Sequence, residues 1–224
     1  MSWGQHRRRA PGYSWFRFLI VWGISRGFVW WYFRLFYRLR RSGLENLPRS
    51  GPIIYVANHA SHLDPPLVGC VVDDRPPAFM ARDTLFKFKP FGALIRFYGS
   101  IPIVRGGRGA EAMRTALTEL AEGRCILIFP EGTRSRDGSI GVMKAGFLLL
   151  VRKSKATVVP VGTDGCFDAW PRTRSRPRLF GRIHVHIGEP IEAAELKALG
   201  SDGAVERVRD AIQAAVDEAK RQRC

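Results

Sequence analysis

Residues 53–66 read IIYVANHASHLDPP, an apolar run that gives way to polar residues within a few positions. A continuous run such as 53–57 is typical of a β-strand that is covered on both faces, as in a parallel sheet flanked by helices. Pro65 suits the first turn of a helix, because its φ is already helical and it has no N–H to lose there. The stretch therefore predicts a strand, a polar loop that holds His59 and Asp64, and then a helix.

Strand and helix patterns alternate along the rest of the chain. Candidate strands are 53–57, 77–81, 101–104, 124–129, 157–161 and 183–187. Helical patterns cover 110–122, 143–154 and 203–222, and 171–182 is a basic, exposed loop. This alternation predicts an α/β fold with a mostly parallel central sheet and helices on both faces.

The N-terminal residues 1–43 differ in composition from the domain predicted for 44–224. No acidic residue precedes Glu45, whereas the segment holds nine arginines and five of the six tryptophans. Residues 14–39 lack proline and predict a long helix, but arginines interrupt its apolar runs before they reach the roughly 20 residues of a membrane span. We expect a membrane-associated aromatic and arginine-rich helix at the interface, with arginines meeting lipid phosphates. The alternative is a buried aromatic helix packed on the domain.

The formal net charge of +16 indicates an anionic partner, which could be a nucleic acid, a membrane surface or a phosphorylated small molecule. The aromatic residues cluster with aliphatic ones in the N-terminal segment, which suits lipid better than stacked bases and disfavours nucleic acid. The four cysteines are scattered without metal-binding spacing, as in a cytoplasmic protein with reduced thiols. No pattern indicates an oligomeric state.

The first strand exit carries a possible acid–base pair. An imidazole with a pKa of about 6.5 can take a proton from a hydroxyl and return it, and Asp64 could fix the tautomer of His59. Asp64 could instead cap the helix that Pro65 opens. A metal site at His59, His62 and Asp64 lacks further ligands, and Ser61 lies in no G-x-S-x-G motif.

Two further strand exits suit phosphate binding. Residues 98–112, YGSIPIVRGGRGAEA, place Arg105 and three glycines before a helix, which could form a phosphate cradle or a flexible basic turn. Residues 128–138, IFPEGTRSRDG, offer Glu131 for a substrate hydroxyl or an arginine, and Thr133 and Arg134 for phosphate oxygens. The alternative for this exit is a polar turn with an internal Glu–Arg pair.

Four blocks along the chain form one ordered pattern: N-H-x-x-x-x-D at 58–64, GSIPIVR at 99–105, FPEGTRS at 129–135 and VVPV at 158–161. This pattern resembles that of glycerolipid acyltransferases of the 1-acyl-sn-glycerol-3-phosphate acyltransferase (lysophosphatidate acyltransferase) type. The first and third blocks together are highly specific. The second departs from the common form at Pro102 and Val104, where many members have Phe and Asp, and this leaves the acceptor open.

The resemblance implies that His59 is the general base and that Asp64 orients it. It further implies substrate-binding roles for Asn58, Gly99, Arg105, Glu131, Gly132, Thr133, Arg134, Lys144 and Pro160. The implied reaction transfers a fatty acyl group from acyl-CoA or acyl-carrier protein to the free hydroxyl of a lysophospholipid, chiefly 1-acyl-sn-glycerol 3-phosphate, giving phosphatidate. It needs no metal and no cofactor besides the acyl donor.

Two alternatives stay open beside that reaction. The acceptor could be glycerol 3-phosphate or another lysolipid, or the protein could be a non-enzymatic basic binder of membranes or nucleic acid. The implied location is the cytoplasmic face of the cell membrane, with peripheral or monotopic attachment to an anionic surface.

Overall fold

A seven-stranded sheet lies at the centre of the part of the chain that the structure, a computed structural model, describes: residues 12–72, 75–103 and 109–223. Its strands are β1 (Arg40–Ser42), β2 (Ile53–Ala57), β3 (Pro77–Arg82), β4 (Ile101–Ile103), β5 (Cys125–Ile128), β6 (Thr157–Asp164) and β7 (His184–Ile187). The strand order is β1-β7-β6-β2-β5-β3-β4, and every neighbouring pair is parallel except β6–β7. The predicted, mostly parallel α/β sheet is confirmed.

All six predicted strands are present, and β1 is an addition. The short edge strand β1 pairs with β7 in parallel, with Arg40 opposite His184. Its sequence, Arg-Arg-Ser, has no apolar run and therefore no strand signal, which is common for an exposed edge. Strand β1 therefore brings residues 40–42 of the N-terminal segment into the sheet.

Helices flank this sheet. They are α1 (Trp15–Phe18), a π-helical segment (Leu19–Ser25), α2 (Arg26–Phe36), α3 (Asp64–Val71), α4 (Lys89–Phe97), α5 (Gly109–Ala121), α6 (Leu148–Lys153), α7 (Cys166–Ala169), α8 (Ala193–Ala198) and α9 (Gly200–Arg223). The sequence patterns did not predict α4 or α8. Both are short, and α4 contains Pro90 and Gly92, which lower helix propensity. The helix predicted for 143–154 begins only at Leu148, after a 3₁₀ turn (Ala145–Phe147).

The core has two layers because alternate residues of each strand face opposite sides. In β2, Tyr55 points into the cluster that includes residues of α2, α3 and α7, while Ile54 and Val56 point into the cluster that includes residues of α5, α6, α8 and α9. Every residue of β2 is buried. This two-sided burial explains why the run at 53–57 is continuously apolar rather than alternating.

The N-terminal helix is packed along one side and exposed along another. Phe33 and Tyr37 are fully buried in the main core. The opposite side carries four exposed apolar residues, here called the apolar stripe: Ile24, Phe28, Trp31 and Leu35, each 63–74% exposed. The alternative of a buried helix packed on the domain therefore holds for only one side of this helix.

The arginines of this helix also contact protein groups. Arg17 donates two hydrogen bonds to the Phe97 carbonyl, and the Arg26 guanidinium lies over the Trp22 ring. Arg34 is exposed. Within the described ranges, no helix is both long enough and apolar enough to span a bilayer.

Candidate active site

His59 and Asp64 meet in the loop between β2 and α3. Asp64 Oδ2 lies 3.0 Å from His59 Nδ1 and also accepts the backbone N–H groups of Ala60 and Ser61, each at 2.7 Å. The Asp64 side chain is fully buried, whereas that of His59 is 18% exposed. Because an ionised carboxylate only accepts hydrogen bonds, this contact is one that Nδ1–H donates to Asp64, which leaves Nε2 as the ring nitrogen available to a substrate.

The two prolines explain why Asp64 turns back toward the loop. A capping side chain accepts an N–H from the first helical turn, but Pro65 and Pro66 have none, and the backbone N–H groups that Asp64 accepts belong to Ala60 and Ser61, before the helix. The capping alternative is therefore wrong for this residue. Its carboxylate serves the preceding loop and His59, and the prolines begin the helix behind it.

The loop after β5, which was the third predicted strand exit, holds the backbone of the loop after β2. Glu131 Oε1 accepts the His59 N–H at 2.7 Å, and Oε2 accepts the Gly141 N–H at 2.9 Å. The Ser135 N–H donates to the His59 carbonyl at 2.7 Å, and the Phe129 ring stacks on the imidazole at 4.2 Å. Burial raises the pKa of Glu131, and the two N–H donors oppose that shift. Glu131 thus positions His59; its contact with an acceptor hydroxyl stays a prediction.

Asn58 and Pro160 are both buried; Asn58 directly follows β2, whereas Pro160 lies in the middle of β6. Asn58 Nδ2 donates to the Thr163 carbonyl at 3.0 Å, and its Oδ1 accepts the Thr163 N–H at 2.8 Å, which joins β2 to β6. The Pro160 ring packs beside Gly188 on the α9 side of the sheet, whereas His59 and α3 lie on the other side. The structure does not bring the Pro160 ring to His59.

Three arginines lie near one another and are here called the basic cluster: Arg82, Arg134 and Arg172. The charges of Arg82 and Arg172 both act on Arg134, which is also close enough to the His59–Asp64 dyad to be affected by the charge of Asp64. Nη1 of Arg134 is buried and has no hydrogen-bond partner in the described part of the chain. Burial lowers the pKa of Arg134, and the positive charges of Arg172 and Arg82 lower it further, against the opposite effect of Asp64. Such a group of like charges is suited to an anion.

The loop around Gly132 borders the basic cluster. Gly132 has a φ of +65°, and a Cβ added there would lie 3.2 Å from Lys144 Nζ. Arg82 Nη2 donates to the Gly132 carbonyl at 3.0 Å. Thr133 is exposed in the same loop. The structure therefore brings Gly132, Thr133, Arg134 and Lys144 together, and their binding of a substrate stays a prediction.

Arg82 and Arg172 were missed by the sequence patterns. Arg82 is the last residue of β3, and the carboxyl ends of parallel strands share one edge of a sheet. That rule could have identified Arg82 once β3 was placed beside β5. Arg172 lies two residues beyond Trp170 in the basic loop, and only the path of that loop brings it near Arg134.

Gly99 is a turn residue beside the N-terminal segment. It precedes β4, so it lies toward the amino end of a strand in the parallel part of the sheet, whereas His59 follows the carboxyl end of β2. Its φ is +80°, and an added Cβ would lie 2.9 Å from Tyr13 Oη. Its part in acceptor binding stays a prediction. Arg105 lies outside the described residues.

The remaining polar residues of the first exit have structural contacts. The Ser61 hydroxyl donates to the Trp170 carbonyl at 2.8 Å and accepts the Leu63 N–H at 3.1 Å. The His62 ring packs against the Trp170 ring at 4.9 Å, and burial lowers the pKa of His62. Among the described residues, no three side chains of His, Cys, Asp or Glu are grouped as metal ligands.

Comparisons with known proteins identify a family and a fold that this chain resembles. The Acyltransferase family profile matches residues 38–164. The 1-acyl-sn-glycerol-3-phosphate acyltransferase of Bacillus subtilis is 26% identical over 176 residues, covering 78% of this chain and 84% of that protein. The crystal structure of the 1-acyl-sn-glycerophosphate acyltransferase PlsC from Thermotoga maritima matches with a TM-score of 0.73 and 28% identity, over 90% of this chain and 78% of that one.

Plant relatives are similar over a shorter share of their own length. The chloroplastic 1-acyl-sn-glycerol-3-phosphate acyltransferase LPAT1 of Arabidopsis thaliana is 29% identical over 167 residues, or 73% of this chain. The chain spans about half the length of the chloroplastic relatives it matches, 46% and 48%.

Proposed function

Because the chain belongs to the Acyltransferase family, we propose that it transfers a fatty acyl group from a thioester to the free hydroxyl of 1-acyl-sn-glycerol 3-phosphate, giving phosphatidate. The observation that carries the proposal is the contact between His59 and the buried Asp64, 3.0 Å long, beside the basic cluster. A base and an anion site at one edge of the sheet are what acylation of a phosphorylated alcohol requires. The names of the Bacillus and Thermotoga relatives support this acceptor.

His59 is the general base of this reaction. Its Nε2 takes the proton from the acceptor hydroxyl while the oxygen forms a bond to the thioester carbonyl carbon. The tetrahedral intermediate then collapses and the C–S bond breaks. The sulfur takes the proton back from Nε2 and leaves as a thiol. Asp64 stabilises the imidazolium that exists between the two transfers. A thiol has a pKa of about 8.5 and is a good leaving group, so its departure needs little help from an acid.

The basic cluster binds the acceptor phosphate. An anion there would supply the partner that Arg134 Nη1 lacks in the described part of the chain, and it would offset the repulsion among three guanidinium groups. Lys144 and the Gly132 backbone lie beside the same space. Arg105 is expected to add a fourth guanidinium. Holding the phosphate places the hydroxyl against Nε2, and such positioning supplies much of the acceleration.

A membrane supplies this acceptor, since a lysophospholipid resides in a bilayer. The apolar stripe and the basic N-terminal segment provide the attachment, which is peripheral or monotopic and on the cytoplasmic face. The acyl donor is acyl-CoA or acyl-carrier protein. Glycerol 3-phosphate and other lysolipids are the alternative acceptors, since they present the same kind of hydroxyl and, in part, the same phosphate.

An acceptor panel tests the proposal. The purified protein is incubated with one acyl-CoA and, in separate reactions, lysophosphatidate, glycerol 3-phosphate and neutral or zwitterionic lysolipids; free thiol and product mass are measured. We expect phosphatidate as the main product. His59→Ala and Asp64→Ala should each reduce the rate by about 10³-fold or more, with an unchanged circular dichroism spectrum. His62→Ala is the matched control and should remain active. Full activity of His59→Ala would refute the assignment.

A further inference from the structure

Residues 171–182, PRTRSRPRLFGR, form a loop with five arginines and no acidic residue, here called the arginine loop. All five arginines are exposed. The loop also exposes two large apolar side chains, Leu179 at 71% and Phe180 at 69%. Exposed leucine and phenylalanine within a run of arginines are typical of a surface that contacts lipid.

The start of the arginine loop is attached to the active site. The Trp170 carbonyl accepts the hydrogen bond from Ser61, which lies between His59 and Asp64. The Trp170 indole N–H then donates to the Arg174 carbonyl at 2.9 Å. The beginning of the loop is therefore held in a defined position relative to the dyad.

The end of the arginine loop is attached to the N-terminal helix. The Tyr37 hydroxyl donates to the Arg178 carbonyl at 2.6 Å, and the Gly181 N–H donates to the Phe36 carbonyl at 3.1 Å. The Phe180 ring stacks on the Phe36 ring, with centroids 5.8 Å apart and planes at 29°.

These contacts place the loop against the end of the helix that carries the apolar stripe. Phe36 follows Leu35, the last member of the stripe, which is 70% exposed, whereas Phe36 itself packs against the core. Leu179 and Phe180 add exposed apolar surface at this end of the helix, among the arginines of the loop.

We propose that the arginine loop is a second contact with an anionic bilayer, in which Leu179 and Phe180 enter the interface and Arg174, Arg176 and Arg178 meet lipid phosphates. This proposal rests on the proposed function in one respect: it takes the acyl acceptor to be a membrane lipid. Charge complementarity favours a bilayer over an acidic carrier protein, which would use the arginines but not the exposed Leu-Phe pair. The loop also contacts the end of the helix that carries the apolar stripe, and the Ser61–Trp170 hydrogen bond joins it to the loop that holds His59 and Asp64.

Binding of the full-length protein to vesicles tests the proposal. The test variant is R174Q/R176Q/R178Q, which leaves Arg172 of the basic cluster intact. The control, K155Q/K197Q/R209Q, removes the same charge from exposed positions on the α6, α8 and α9 side of the sheet. Co-sedimentation uses vesicles of phosphatidylcholine with 30% phosphatidylglycerol (about one anionic lipid in three, so that polybasic segments are attracted) and vesicles of phosphatidylcholine alone.

We expect the test variant to bind the anionic vesicles about 10²-fold more weakly than the wild type, which corresponds to roughly fivefold per arginine. The control variant should lose much less affinity for the anionic vesicles. L179S/F180S should bind more weakly even at high salt, because its loss is apolar rather than electrostatic. Equal losses in the test and control variants, or wild-type binding by R174Q/R176Q/R178Q, would overturn the proposal. So would unchanged vesicle binding with selective loss of carrier-protein-dependent turnover, which would assign the loop to the donor.

Activity on a short-chain lysophosphatidate, assayed as monomers without vesicles, separates this inference from the proposed function. All loop variants should turn over this acceptor at the wild-type rate while losing rate on the vesicle-embedded acceptor. No turnover of either acceptor by the wild type would refute the proposed function and leave the vesicle-binding result intact. Loss of rate on both acceptors by the loop variants alone would overturn the membrane role of the loop, because the loop would then act in the reaction itself.

Discussion

Glu131 accepts the backbone N–H of His59 at 2.7 Å, so the acidic residue at the exit of β5 fixes the histidine at the exit of β2. Its second oxygen accepts the Gly141 N–H at 2.9 Å, which ties the following loop to the same carboxylate. The side chain is only 4% exposed. Within the site, Glu131 is a positioning residue, and this placement leads to a specific expectation for its amide variant.

Glu131→Gln should lower kcat by about 10²-fold and change the acceptor KM little. The amide keeps one acceptor oxygen but presents an NH₂ group to the other backbone N–H, so His59 shifts away from its productive place, and small displacements have effects of this size. Steady-state kinetics with varied acceptor concentration measure the two constants separately. A raised KM at normal kcat would show instead that Glu131 binds the acceptor.

Arg134→Gln should raise the acceptor KM about 10- to 100-fold. A charge-assisted hydrogen bond to the acceptor phosphate contributes about 1.5–3 kcal/mol, and glutamine cannot replace the charge. Arg136→Gln is the matched control in the same loop, where the side chain is exposed. If both variants raise KM equally, the effect comes from the general positive potential and not from Arg134.

Gly132→Ala should destabilise the protein by about 1–2 kcal/mol and weaken acceptor binding. The φ of +65° is unfavourable for alanine, and the added methyl would press on Lys144 Nζ at 3.2 Å. Gly146→Ala is the control, because Gly146 has no positive φ and no atom within 4 Å of an added Cβ. Urea unfolding and acceptor KM are measured for both. Equal stability of the two variants would contradict the strain argument.

The stability of the protein should fall as the pH drops below about 6.5, partly through His184. This histidine is 3% exposed, and Ser42 Oγ lies 3.0 Å from its Nε2. Burial lowers the pKa of His184, and His186 and Arg40 lower it further, while Glu218 opposes them. The unfolded chain therefore binds the proton first, so this contribution is present above the unfolded pKa and is lost as the pH falls toward the lower folded pKa.

His184→Gln should flatten that dependence. One extra proton bound by the unfolded state changes the unfolding free energy by at most about 1.4 kcal/mol per pH unit. Urea unfolding of both proteins at pH 7.5, 6.5 and 5.5 gives the difference between their slopes, which does not depend on any constant loss of stability in the variant. Parallel slopes would show that His184 does not contribute.

Short-range patterns predicted much of the fold and part of the site. The continuous apolar run of β2 correctly predicted burial on two faces. Such a prediction needs only consecutive residues. The contact between His59 and Asp64 was also predictable, because the two residues are only five positions apart and Pro65 and Pro66 begin a helix directly after Asp64. By contrast, β1 has no apolar run, and its place beside β7 follows from packing of the N-terminal helix on the core.

Consecutive residues are enough to predict that strands exit into polar loops and which side chains those loops offer. Which of these side chains meet depends on the folded chain: Glu131 accepts the His59 N–H, Arg82 and Arg172 lie near Arg134, and Gly99 lies beside Tyr13. Periodicity along one element encodes only the burial of that element. The partners of a strand-end residue depend on the order of strands in the sheet and on the path of loops distant in sequence.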